Sequence, residues 1–428
     1  MKKIGKTKDE GEEFIMKKIA NQIEKYNKLI QKSNLKKEKN RGITLIALVI
    51  TIIVLLILAG MSIGMLTGQN GILTQAQNAK QKTEEGKIKE QNELAKANAT
   101  MNIEKQTYVD KNEESVVVPE GFSVIEIDGE NTVKDGLVIT DKNGNEFVWI
   151  PCSEEEYKEA DSNWLKSSTY EGRTWSDIQS TEIGLSSVKK YGGFYIARYE
   201  SGISEDATDI YAGTKDNEYA QKRMNRNDSN YIEKYTPVSQ KGKEVWNTVT
   251  QKNAKILSEK MVNNSSANSY LVDSYAWNAM CRIIEKKTNI SIKDSTKFGN
   301  YYNNTTTAYE KINTKYAIFK YGSQGVTNFD TLTMKSGYVL EAPKGKGENR
   351  IELATGSSDN FKTYNIYDVA GNVWEWTTEL STDLNAVLRG GSFQNNGEER
   401  PMEYINGNDS STSKYGYNVG FRAVMYLK

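Results

Sequence analysis

The chain of 428 residues contains no histidine. A Ser-His-Asp triad, a Cys-His pair, a His-ligated zinc site and a two-His-one-carboxylate iron site each need an imidazole as base or ligand, so all four are excluded. Cysteine is nearly absent as well. Cys152 and Cys281 are the only two, too few for a thiolate zinc site or an iron–sulfur cluster. They either form one disulfide outside the cell or stay separate as buried thiols. Hydrophobic residues make up only 37% of the chain, and there are five prolines. That composition suits a polar, loop-rich domain. Net charge is zero, but residues 1–42 hold 13 Lys and Arg against 6 Asp and Glu, which leaves the remainder correspondingly acidic. No basic face large enough for nucleic acid is evident, and no nucleic-acid partner is expected.

What stands out against this polar background is GITLIALVITIIVLLILAGMSIGML, Gly42 to Leu66. About 24 uncharged residues follow Gly42, and roughly 20 suffice for a helix to cross the hydrocarbon of a bilayer. LKKEKNR lies just before this run, and no Lys or Arg follows it until Lys80. The positive-inside rule therefore puts the N-terminus in the cytoplasm and the long C-terminal part outside. Upstream, Phe14, Ile15, Ile19, Ile23 and Ile30 recur at helical intervals in a basic stretch, the pattern of an amphipathic helix on the inner leaflet. Downstream, residues 67–110 are rich in Ala, Gln, Glu and Lys and predict a polar helical stalk.

Basic residues, a Gly and then a hydrophobic run opening ITLIALV together resemble the N-terminus of a type IV prepilin. The resemblance implies cleavage between Gly42 and Ile43 by a prepilin peptidase, and pilus assembly proteins as partners. Ile43 replaces the usual Phe, and Ala47 stands where pilins carry the Glu that guides assembly.

From about Ser115 the sequence alternates as strands do. SVVVPEGFSVIEI, GLVITDKNGNEFVWIP and YGGFYIARYE are separated by Pro-Glu-Gly, Asp-Gly and Asn-Gly turns. Two helical patterns follow. GKEVWNTVTQKNAKILSEKM carries Val245, Trp246, Val249, Ala254, Ile256 and Leu257, and VDSYAWNAMCRII carries Tyr275, Ala276, Ala279, Met280 and Ile283. In WEW, Trp374 and Trp376 flank Glu375, so on an extended segment both rings face one side. Arg389 and Arg422 are candidates for buried bidentate pairing.

NIYDVAGNVWEWTTE, LRGGSF and NVGFRAV, preceded in order by FVWIPC, YGGFYIARYE and SYLVDSYAWNAM, resemble the signature series of the formylglycine-generating enzyme (sulfatase-modifying factor) family over residues 115–428. The resemblance implies an α+β, C-type-lectin-like fold with two helices, small twisted sheets and much irregular loop, set behind the single long transmembrane and stalk helix. It also implies a structural calcium site formed by Asp368, the carbonyls of Gly371 and Val373, and Glu375. Oxygen-only ligation of this kind suits a hard cation. The enzymes of the family hold copper on two cysteines after the RGGS motif. Those positions here read Asn395 and Arg400, which form no thiolate for copper, and the His-ligated iron of a related branch has no His here, so neither metal is expected.

The organisation expected is a cytoplasmic leader at 1–42, a transmembrane helix at 43–66, a stalk at 67–110 and a head at 115–428, displayed on a bacterial cell surface. The surface between Gly391 and Asn418 offers Phe393, Asn395, Asn396, Arg400, Tyr404, Asn406, Asn408, Tyr415 and Tyr417 as ligand-binding residues. Tyr supplies contact area at low entropic cost, and Asn supplies adaptable hydrogen bonds. A protein or glycan ligand is expected. Two alternatives stand beside this reading: an active oxidoreductase of the family with a displaced site, and a variable receptor diversified by a retroelement.

Overall fold

The computed structural model describes residues 72–102, 104–162, 178–204, 227–304, 317–322, 325–328, 350–380, 385–409, 416 and 418–428, with short helical pieces at 21–25, 27–28 and 49–52. Most of the hydrophobic run at 43–66, Gly42 and Ile43 with it, lies outside the described residues. Among the described residues no helix is long and apolar enough to cross a membrane. The chain divides into two compact units, Met1–Gly86 and Lys87–Lys428.

In the first unit the described residues are helical, and residues 79–86 are exposed. They form the first half of α1 (Ile72–Met101), a helix favoured by its Ala, Gln, Glu and Lys content. The helix is shorter than the 67–110 stalk expected from composition. It stops at Met101, and β1 (Gln106–Val109) pairs antiparallel with β2 (Ser115–Val118). In the second unit the end of α1 is docked rather than free. Ala95 and Ala99, one turn apart, are buried, and Asn102 donates to the Phe122 carbonyl at 2.5 Å while its own carbonyl accepts from Gly121.

The main sheet is six-stranded and antiparallel. It contains β3 (Phe122–Val124), β4 (Val138–Asp141), β5 (Glu146–Pro151), β6 (Gly193–Ala197), β7 (Ala267–Leu271) and β17 (Ala423–Leu427), in the order β3-β4-β5-β6-β17-β7. Alternate side chains feed two separate cores, as the period of two requires. Val138, Val148, Ile150, Phe194, Ile196 and Val424 face one core, and Ile139, Phe147, Trp149, Tyr195 and Met425 face the other.

Helices cover the first core: α2 (Glu154–Ser162), α3 (Ile178–Tyr191) and α6 (Ser274–Thr288), with α4 (Ser229–Lys234) and α5 (Gln251–Glu259) elsewhere. Helix α6 starts where Asp273 caps the Ala276 amide and ends at Asn289 in a left-handed conformation, and it turns Ala276, Met280 and Ile284 inward. The two-helix expectation is therefore too small. Among the described residues α2, α3 and the short α4 are three further helices, and the polar patterns of α2 and α3 hid them because only their few inward residues, such as Tyr157 and Val188, carry the apolar signal.

The pattern read as one helix across Gly242–Met261 is helical only from Gln251. Upstream of Thr250 the backbone bonds outward instead of to itself: Trp246 donates to the Ser201 carbonyl and Ile203 to that of Glu244. A three-stranded sheet is formed by β8 (Ala317–Gly322), β9 (Gly325–Asn328) and β10 (Arg350–Leu353), and a short pair by β11 (Lys362–Thr363) and β12 (Ile366–Tyr367).

The last sheet holds the motif-rich segments. Its order is β15-β14-β13-β16, from β13 (Trp374–Leu380), β14 (Ala386–Arg389), β15 (Ile405–Asp409) and β16 (Val419–Phe421), with β13 and β16 parallel. As the alternation predicts, Trp374 and Trp376 enter one core together, against Ala254 and Leu257 of α5, and the Trp376 indole donates to the Val249 carbonyl at 2.8 Å. Both arginines are buried and bidentate: Arg389 with Glu379, at 2.9 Å twice, and Arg422 with Glu375.

Candidate functional site

With its tryptophans turned to one side, β13 must present Glu375 to the other, where Arg422 receives it. Arg422 Nη2 lies 2.7 Å from Glu375 Oε1 and Nε lies 3.0 Å from Oε2. Its remaining donors reach the carbonyls of Ala197 and Tyr367. Two more buried carboxylates share this region. Glu200, just beyond β6, accepts from the Val373 amide at 3.1 Å and from the Asn372 side chain at 2.5 Å. Asp368 accepts from the Gly356 amide at 2.7 Å through Oδ2, while its buried Oδ1 has no hydrogen-bond partner.

Burial, with the neighbouring Glu375 adding to it, pushes the Asp368 carboxyl up to about 7, against the pull of the Gly356 amide and Arg422. Glu200 is held well above the usual carboxylate range by burial, and then by Asp368 and Glu375. Burial also raises Glu375, against the pull of Arg422. Three carboxyl groups thus share one guanidinium in a dry place, and burial favours their neutral forms.

The loop between Asp368 and Glu375 is built for close approach. Asp368, Gly371 and Asn372 all have positive φ, and a Cβ on Gly371 would lie 2.4 Å from the Asn300 carbonyl oxygen. Asn372 is the hub. Its side chain accepts from the Leu353 amide and from Asn300 and donates to Glu200 and the Leu353 carbonyl, and its own carbonyl accepts from the Phe393 amide. Sequence reading passed over both Glu200 and Asn372. The available signal for Asn372 was a residue that tolerates left-handed backbone inside GNVWE.

The four residues expected to hold calcium therefore lie on one loop and strand. Asp368 offers an unpartnered oxygen, whereas both Glu375 oxygens are engaged by Arg422. Among the described residues no three Asp, Glu or Cys side chains converge to hold an ion.

The RGGS segment folds back beside this loop. Gly390 and Gly391 have φ of +85° and +74°, and the Tyr301 hydroxyl sits 2.7 Å from the Gly390 carbonyl and 2.9 Å from that of Arg400. Asn395 Oδ1 accepts from both the amide and the hydroxyl of Ser392, at 2.9 and 2.8 Å, and so closes the turn. Asn396 accepts from Asn303 at 2.8 Å and from the Glu398 amide at 2.9 Å. Arg400 lies over the Tyr404 ring at 4.2 Å, and Tyr404 in turn touches Trp374.

Of the residues expected to bind a ligand, Phe393 is interior, at 1% exposure, and so forms no part of an exposed edge. Its ring joins the core because the preceding turn directs the chain inward. Asn395, Asn396, Arg400, Tyr404 and Asn406 are half-buried and lie along the same stretch. The Asn408 side chain, Tyr415 and Tyr417 lie outside the described residues.

Neither cysteine stands at a reactive position. Both are unpaired and buried. Burial, aided by Glu156, pushes the Cys152 thiol up to about 12, and Cys281, fully enclosed, is raised further by burial.

Among known proteins, the family of sulfatase-modifying factor enzyme 1-like domains matches residues 200–427. No curated protein and no solved structure matches the chain.

Proposed function

Because the chain belongs to the family of sulfatase-modifying factor enzyme 1-like domains, we propose that it is a membrane-anchored member that binds rather than oxidises. In this reading its C-type-lectin-like head is displayed on the outer face of the cell and recognises a protein or glycan through the Asn395–Asn418 stretch. One observation carries the reading. Where the family resemblance puts the two catalytic cysteines, Asn395 closes a turn on Ser392 and Arg400 lies over Tyr404. The two cysteines the chain does have are buried, with thiols raised far from neutrality, which disfavours the thiolate needed for copper binding or exchange.

The hydrophobic run after Gly42 supports single-pass anchoring, with the basic leader inside and the head outside. Cleavage between Gly42 and Ile43 by a prepilin peptidase is part of the same proposal. For a hard cation, the support is Asp368: a buried carboxyl with one unpartnered oxygen, close to two further buried carboxyls, matches an oxygen donor set that a cation would ionise. Asp368, Glu375 and the carbonyls of Gly371 and Val373 would hold the ion, whose role would be to fix the loop.

Binding of the detergent-solubilised full chain to a glycan array and to envelope proteins tests the reading. A captured ligand lost in a Tyr404→Ala, Asn406→Ala variant of unchanged melting temperature supports it. Thiol-dependent oxygen uptake, abolished by Cys152→Ser or Cys281→Ser, would sink it in favour of the oxidoreductase.

A further inference from the structure

A second feature lies away from the Asn395–Asn418 stretch, at the outer strand of the main sheet. β7 pairs with β17 on one side, and the sheet order leaves it last. Tyr426 stands opposite Asn268 and Val424 opposite Tyr270, so these four side chains share one face, the face that α3 covers.

Helix α3 is fastened close to β17. A Cβ on Gly184 would lie 2.8 Å from the Tyr426 ring. The buried Ser187 hydroxyl donates to the Gly193 carbonyl at 3.0 Å and accepts from the Leu427 amide at 3.2 Å. Beside this contact an open cleft of about 240 Å³ remains. Glu182, Ile183 and Ser186 line it from the helix, and Asn268, Tyr270 and Tyr426 from the sheet. At ~30 Å³ per water it holds the volume of about eight waters, enough for a hexopyranose ring.

The lining is divided by polarity. Its floor is apolar: Ile183 and Tyr270 are half-buried, and the Tyr270 and Tyr426 rings lie 6.0 Å apart, tilted by 34°. Its rim is polar and unengaged. Glu182 and Ser186, one helical turn apart, are exposed, and among the described residues neither side chain has a hydrogen-bond or ion-pair partner. The Tyr270 hydroxyl accepts from Asn268 Nδ2 at 3.2 Å, which leaves its own proton to donate. Lys428 also reaches the cleft. Its side-chain charge is opposite to that of Glu182, so the rim favours neither an anion nor a cation.

We propose that this cleft binds a neutral hexose unit of a glycan. The C–H face of the sugar packs on Tyr270, its hydroxyls reach Glu182 and Ser186, and the Tyr270 hydroxyl donates to a further sugar oxygen. An aromatic body with a polar handle, flanked by a carboxylate and a hydroxyl, matches the apolar face and polar edge of a pyranose ring. The site is separate from the Asn395–Asn418 stretch and stands whether or not that stretch binds.

The test is saturation-transfer NMR on the detergent-solubilised full chain with the methyl glycosides of glucose, galactose, mannose and N-acetylglucosamine. At least one should bind saturably, with its ring C–H protons receiving the most saturation. Glu182→Gln should weaken that binding about tenfold, and Tyr270→Ala should abolish it. Tyr270→Phe keeps the ring and should preserve the ring-proton pattern with a smaller loss of affinity. Asp128→Asn, whose carboxylate pairs with Lys111 outside the cleft, should leave binding unchanged. Melting temperatures check that the variants fold, and Ser186→Ala, which should also weaken binding, replaces Tyr270→Ala should it fail. Absence of saturable binding overturns the site, as does equal weakening by Asp128→Asn. Tighter binding of methyl glucuronide than of every neutral glycoside overturns it too.

Discussion

Asp368 spends one oxygen on the Gly356 amide and leaves the other unpartnered inside the protein, and this asymmetry has a measurable cost. Its carboxyl titrates at about 7 in the folded chain, against an ordinary value of 3.8. Between those values the folded state holds a proton that the unfolded state has released. The contribution of Asp368 to stability is therefore fully present below pH 4 and is lost as pH rises through 7, by about 1.4 kcal/mol per pH unit for one proton. Carboxylates shifted the other way, such as Glu130, act below pH 4.5, whereas the raised Glu200 and Glu375 lose stability in the same direction as Asp368. Urea unfolding from pH 4.5 to 7.5 should show the decline, Asp368→Asn should lessen it, and millimolar calcium should lessen it in the parent chain alone. A flat parent profile without calcium would refute the assignment. At this scale the sequence was partly legible. The pairing of Arg389 and Arg422 followed from residue type, whereas Asn372 as hub did not, because its partners come from four distant segments.

Among the elements, the docked end of α1 shows what composition can hide. Ala95 and Ala99 looked like generic helix formers, yet both are buried, Ala95 in the core shared with Val148 and Ile150. Ala99→Leu overfills that contact and should destabilise the head by about 1–3 kcal/mol. Hydrogen exchange of the amides from Lys87 to Met101 should rise well before that of β5 or β6. Uniform loss of protection across the sheet would place the strain elsewhere. The strands of the main sheet were readable because alternate residues face two different cores, so the period survives even where every position is buried. The helices α2 and α3 were not, since charged and small residues dominate them. The start of α5 was misplaced because tertiary hydrogen bonds to Ser201 and Ile203 take the preceding residues out of the helix.

For the second unit taken whole, Cys152 and Cys281 serve as reporters of global opening. Both belong to the largest shared core, with Trp277, Met280 and Val424. Native protein at pH 8 should give no reaction with a thiol-labelling reagent over the time in which a denatured sample releases two equivalents. The slow native rate should then follow the global unfolding equilibrium. Rapid labelling of either residue would expose a usable thiolate and reopen an oxidative role. The motif order along the chain made the α+β class readable. The sheet order did not follow from it, because β17 pairs with β6 and β7 across long sequence distances that no local pattern encodes.

That placement of β17 also governs the order of events during synthesis. Of the six strands in its sheet it is the last to leave the ribosome, yet it lies between two others, which cannot close on each other without it. The main sheet therefore cannot be completed until residues 423–427 are available. Deletion of residues 423–427 would leave β6 and β7 each without its shared neighbour, a lesion far larger than its length.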